Sequence, residues 1–135
     1  MINEAAKVAA QWWADQLRRP PKMNSGDRAF DQLMQADSPE IIPAERIQLF
    51  QATLERKIIE AWEAGDLNSV LGVVEVEVDY EPSDNLKVAA KEADVRLPKN
   101  LPIKTFTLIK PGKVMLKHGY GAELQVIFGS DRPSI

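Results

Sequence analysis

Apolar residues recur at three- and four-residue steps from Ile2 to about Arg19. Ile2, Ala6, Ala9, Trp13 and Leu17 form one stripe, widened by Val8 and Trp12. That period predicts a helix. Pro20-Pro21 ends it, because proline donates no backbone hydrogen bond and disfavours helix before it. Asn24-Ser25-Gly26-Asp27 is turn chemistry. A short helix is expected from Arg28 to Gln35, burying Phe30, Leu33 and Met34, with Asp37-Ser38-Pro39 as its stop. The longest periodic run is Pro43 to Ala64, with Ile47, Phe50, Leu54, Ile58 and Trp62 on one face. Pro43 suits the first helical turn, and Gly65 suits the C-terminal cap, where φ turns positive.

The period then changes to two. Val74, Val76, Val78 and Tyr80 alternate with Glu75, Glu77 and Asp79, the pattern of a half-buried strand. Pro82 stops it. Ser83 can cap a helix to about Ala93, with Leu86, Ala89, Ala90 and Ala93 as its apolar face. Leu97 to Pro102 reads as an extended connection. Lys104–Lys110 and Lys113–His118 read as strands joined at Pro111-Gly112. A Pro-Gly pair fits a type II turn, which two-residue hairpins disfavour, so a slightly longer loop is expected. Gly119-Tyr120-Gly121-Ala122 marks a kink, and Leu124, Val126 and Phe128 a last strand. The order ααα-β-α-βββ predicts an α+β fold: N-terminal helices packed on a mostly antiparallel sheet of about four strands. One domain is expected over 1–135, with a helical part at 1–66, a β-rich part at 70–128 and a loose tail at 129–135.

Composition narrows the functional classes. The chain has 135 residues, 44% hydrophobic and 27% charged, which is globular rather than disordered composition. It has no cysteine, which excludes disulfides, thiolate metal sites and cysteine nucleophiles. A single histidine, His118, cannot form a two-histidine metal site within one subunit. The net charge of −3 lacks the basic excess of a nucleic-acid binder. No apolar run approaches the roughly 18 residues of a membrane span, and Glu4, Lys7 and Asp15 interrupt any secretory signal. No GxSxG, P-loop, GxGxxG or HExxH pattern occurs. These absences favour binding over catalysis, with no cofactor, no metal and no catalytic residue assigned.

Five places remain candidates. Glu75, Glu77 and Asp79 share one side of a strand, about 7 Å apart at ~3.3 Å rise per residue. That is too wide for adjacent metal ligation, leaving a solvated face or a basic protein partner. Lys104, Lys110, Lys113 and Lys117 line the hairpin with Phe106 among them. They either protect an edge or grip an anion, with Phe106 stacking on a base. His118 and Tyr120, beside glycines, could bind that ligand or act as acid and base. Adjacent Trp12 and Trp13 point about 100° apart on a helix, so one can be core while the other anchors an interface. Arg18-Arg19 complement the helix C-terminus.

Four segments carry a resemblance: Ala10-Gln11-Trp12-Trp13-Ala14-Asp15-Gln16-Leu17-Arg18, Asn24-Ser25-Gly26-Asp27, Val78-Asp79-Tyr80-Glu81-Pro82 and Gly119-Tyr120-Gly121-Ala122. They resemble small accessory proteins of bacteriophages and other mobile elements. The resemblance implies a non-enzymatic inhibitor of a host defence complex, anti-CRISPR-like, in the cytoplasm of a bacterial host. Its partner would be a host protein or ribonucleoprotein. Interface candidates are then Trp12, Trp13, Glu75, Glu77 and Asp79. Three alternatives stand beside it. One is a homo-oligomeric sponge holding a nucleotide at Lys104, Phe106, Lys117, His118 and Tyr120. The others are a small enzyme using His118 and a virion component. A homo-oligomer is expected, and no membrane partner.

Overall fold

The computed structural model describes residues 2–18, 42–79, 81–95, 104–119 and 121–129. In chain order these form α1 (Asn3–Arg18), α2 (Ala44–Ala64), β1 (Val74–Val78), α3 (Asp84–Ala93), β2 (Thr105–Lys110), β3 (Lys113–His118) and β4 (Gln125–Phe128). The four strands form one antiparallel meander in the order β1-β2-β3-β4. This is the expected α+β arrangement of N-terminal helices and a four-stranded sheet. The short helix expected at 28–35, the connection at 97–102, Tyr80, Tyr120 and the tail beyond 129 lie outside the described residues.

The helices pack because each offers one apolar face. α1 buries Ala5, Ala6, Ala9, Ala10, Trp13, Ala14 and Leu17. Its stripe widens through alanines, whereas Val8 and Trp12 sit half-buried at its margin. Small side chains let the α1 and α2 backbones approach closely. α2 buries Ile47, Phe50, Leu54 and Ile58, with Trp62 half-buried against the same core. Pro43 lies just before α2 at ψ 142°, one residue outside the expected first turn. Gly65 ends the helix at φ 73°. Its N–H reaches the Trp62 carbonyl, and the Asp66 N–H reaches that of Ala61, a paired closure that needs the left-handed residue between. α3 buries Leu86, Ala89, Ala90 and Ala93, the four positions its spacing predicts.

All three helices cover one sheet face. That face carries Val74, Val76 and Val78 from β1, Thr105, Thr107 and Ile109 from β2, and Val114 and Leu116 from β3, all buried. A buried hydrogen-bond chain ties the layers together. The Trp13 indole N–H donates to Thr107 Oγ1 at 2.8 Å, and that hydroxyl donates to the Val76 carbonyl at 2.8 Å.

Two local expectations need correction. Lys110 pairs directly with Lys113, so Pro111-Gly112 is a two-residue turn rather than a longer loop. Gly112 has φ 77°, the value of the third type II position. A register irregularity follows between β3 and β4: opposite Val114 and Met115, β4 fits the extra residue Ile127 between Phe128 and Val126, which increases local twist. The end of β4 folds back over this turn, and a Cβ at Gly129 would stand 2.2 Å from the Gly112 carbonyl oxygen. The second correction concerns Ser83, which precedes α3 but makes no side-chain cap. Its Oγ instead accepts the Glu77 N–H at 3.1 Å and donates to Asn85 Oδ1 at 2.6 Å. The Ser83 N–H donates to the Glu77 carbonyl, and Asn85 Nδ2 to the Glu75 carbonyl. The β1–α3 connection thus occupies the outer edge of β1.

Candidate interaction surface

The sheet's second face faces away from the helices. Strand alternation puts Glu75 and Glu77 on it from β1, Phe106 and Leu108 from β2, and Met115 and Lys117 from β3. The register aligns them in two cross-strand rows. Glu77 stands beside Phe106, and Phe106 beside Lys117. Glu75 stands beside Leu108, Leu108 beside Met115, and Met115 beside Val126 of β4. Lys117 is exposed, and the other members of both rows are half-buried. The face therefore has an apolar centre, a carboxylate margin on β1 and a cationic margin on β3.

Its electrostatics follow from that layout. The Glu77 carboxyl is held above its ordinary value, first by partial loss of hydration and then by the charges of Glu75 and Asp79. Asp79 is ion-paired with Lys104. Glu75 accepts a hydrogen bond from Asn68 Nδ2, while Asn68 Oδ1 accepts the N–H groups of Val70 and Leu71 and shapes the loop before β1. Among the described residues no salt bridge involves Glu77 or Lys117.

The charged rows read separately in the sequence are thus joined. Glu75, Glu77, Phe106 and Lys117 share one face, with Asp79 and Lys104 paired at its end. The aromatic candidates lie elsewhere. Trp13 is 0% exposed and cannot touch a partner, because its ring fills the core and its N–H is spent on Thr107. Trp12 is half-buried on the helix side, edge-on to Trp13 at 5.0 Å and to His118 at 5.4 Å between centroids. His118 pairs with inward-facing Thr105, so it sits at the helix-covered margin, opposite Lys117. It is exposed overall, yet its proton affinity is lowered by partial desolvation. Of the residues expected to hold an anion, Phe106 and Lys117 are neighbours on the outer face, Lys104 is ion-paired with Asp79, His118 lies on the helix side of the sheet, and Tyr120 lies outside the described residues. His118 has no hydrogen-bonded carboxylate among the described residues, as an acid–base pair would require.

A cleft of about 540 Å³ opens where α2 ends and adjoins the sheet's second face at Glu75, which lines it with Lys57, Glu60, Asn68, Asp84 and Val88 among others. Beside it Val70 and Leu71 are 87% and 56% exposed. Among the described residues no group of three or more His, Asp or Glu side chains could hold a metal ion. Sequence reasoning missed Leu108, Met115 and Val126 as surface residues. Their signal was present as the apolar alternates of Glu75 and Lys117, but only the register shows that they adjoin.

No protein-family model matches the chain, and no curated protein matches it. Among solved structures it is similar to a doubly substituted form of the C. elegans FOG-3 BTG/Tob domain. The TM-score is 0.64 at 14% identity, over 96% of this chain and 91% of that one. The likeness is one of fold. It overturns the expected kinship with phage and mobile-element accessory proteins, since the matching fold belongs to a domain of a nematode protein. The inhibitor of a host defence complex, its anti-CRISPR character and the bacterial-host cytoplasm rested on that kinship and fall with it.

Proposed function

We propose that the chain is a non-enzymatic protein–protein interaction domain, acting as one α+β domain, and that the outer sheet face is its contact surface. The observation that carries this is the row Glu77–Phe106–Lys117 beside the row Leu108–Met115–Val126. An apolar centre with charged margins is the layout of a protein interface, where the centre supplies affinity and the margins supply orientation and encounter rate. The fold likeness to a BTG/Tob domain supports a non-catalytic, protein-binding reading.

Photo-crosslinking tests it. A photoreactive phenylalanine analogue in place of Phe106 is expected to form discrete protein adducts in cells of the source organism. The same group in place of Glu63, exposed on α2, is expected to form none of them. Equal labelling from both positions, or none from Phe106, overturns the assignment.

A further inference from the structure

We propose that this face binds a second copy of the chain, sheet against sheet, about a two-fold axis running along β2; the inference rests on the face being an interaction surface. The sequence of charges across the strands selects the partner. Reading from β1 to β3, one row is acidic, aromatic, basic: Glu77, Phe106, Lys117. A rotation of 180° about an axis parallel to β2 and lying between the two sheets reverses left and right. It sets Glu77 of each copy over Lys117 of the other. Phe106 then meets its own counterpart, as does Leu108, and Met115 meets the stem of Glu75. Each copy supplies the charge the other lacks.

The perpendicular way of stacking the same face fails on charge. An axis perpendicular to the strands sets β1 over β1 and β3 over β3. Carboxylates would then face carboxylates and lysines face lysines, which is destabilising. The dimensions suit the strand-parallel axis. Strands lie about 4.8 Å apart and packed sheets about 10 Å apart, so Glu77 and Lys117, two strands apart, fall within reach of their counterparts. Neither side chain has an ion pair within its own copy among the described residues. Two contacts on the line of β2 oppose the arrangement: Lys104 approaches its own counterpart, its charge offset by Asp79, and so does Lys110, with Lys113 beside it. Lys110 matters more. It is exposed at the hairpin end, where twisted sheets diverge and its side chain can turn to solvent. The contact is isologous, so it closes at two copies and does not propagate into a filament.

Sedimentation equilibrium on the full chain tests this with Glu77→Lys, Lys117→Glu and their equimolar mixture. The wild type is expected to dimerise. Each variant alone is expected to weaken self-association about tenfold or more, because like charges then face across the axis. The mixture is expected to recover a dimer at least as tight as the wild type. One copy then presents lysine at both positions and the other glutamate at both, so every crossing pair is opposite in sign. Phe106→Glu is expected to abolish association in every combination, with circular dichroism reporting that each variant is folded. Neutral Glu77→Gln and Lys117→Gln serve if a charge reversal unfolds the chain; each then weakens the dimer, and their mixture recovers part of the affinity, because the heterodimer keeps one of the two Glu77–Lys117 crossings. A wild type that stays monomeric at its solubility limit overturns the proposal, as does a charge-reversal mixture no tighter than its parts. Adducts from position 106 to a different protein, with a monomeric wild type, sink the second copy and leave the interaction surface standing. No protein adduct at all removes both.

Discussion

At the residue scale, the most consequential side chain for stability is Trp13. Its ring fills the core between α1 and the sheet, and its N–H completes the chain through Thr107 to the Val76 carbonyl. Thr107→Val keeps the volume but leaves the buried indole N–H without a partner. It is expected to cost about 1–3 kcal/mol, the penalty for an unsatisfied buried donor, read as a fall in the urea midpoint at unchanged slope. Two titrating residues give opposite pH signatures. His118 binds its proton less tightly folded than unfolded, because desolvation disfavours the cation. Stability is therefore lost as pH falls through the ordinary imidazole range toward the lowered value. In the single copy, at concentrations too low for self-association, Glu77 binds its proton more tightly folded, so its contribution falls as pH rises from the ordinary carboxylate range to the raised value. His118→Gln and Glu77→Gln should each remove one of these slopes from a plot of melting temperature against pH, leaving the other in place.

At the element scale, helix faces were legible and strand directions only partly so. Ile47, Phe50, Leu54 and Ile58 predict the buried face of α2, and Leu86, Ala89, Ala90 and Ala93 that of α3, because a helix's neighbours are set by its own period. β1 was legible for the same reason, since valine and carboxylate alternate without ambiguity. β2 was not. Its run Thr105-Phe106-Thr107-Leu108 alternates threonine with larger apolar residues, and that pattern alone assigns no inward set to it. The structure buries both threonines and turns Phe106 and Leu108 outward. Thr107 is held inward by partners on α1 and β1, which no local pattern contains. The β1 edge has a similar dependence: Asn85, at the start of α3, satisfies the Glu75 carbonyl across ten residues of chain. Asn85→Ala should cost about 1–2 kcal/mol by leaving that carbonyl unpaired. Hydrogen exchange should show the loss as faster exchange confined to β1 and the first turn of α3.

For the whole molecule, the arrangement is one of asymmetric covering. Among the described residues, three helices occupy one face of the meander, and the other presents an apolar centre and opposed charged margins. Salt should weaken self-association there, since exposed ion pairs are screened within about 8–10 Å at physiological ionic strength. An apolar centre should keep part of the affinity at high salt. A dimer whose dissociation constant ignores salt would exclude the crossing Glu77 and Lys117 pairs as its source.

The sequence by itself determined the α+β class, the helix faces, the Gly65 stop and the carboxylate and lysine rows, because each depends on local period, backbone freedom or composition. Tertiary structure alone decided which rows meet. Glu77, Phe106 and Lys117 lie far apart in the chain and adjoin only through strand register. That register is chosen by burial of the opposite face, where Val76, Thr107 and Leu116 must lie under α1 and α2. Trp12 and Trp13 show the same division. Adjacency on a helix predicts that they diverge, but only the packed sheet determines that Trp13 enters the core and Trp12 meets His118. Surface chemistry is set by what the core needs on the other side of the strand, and that requirement is a property of the assembled layers.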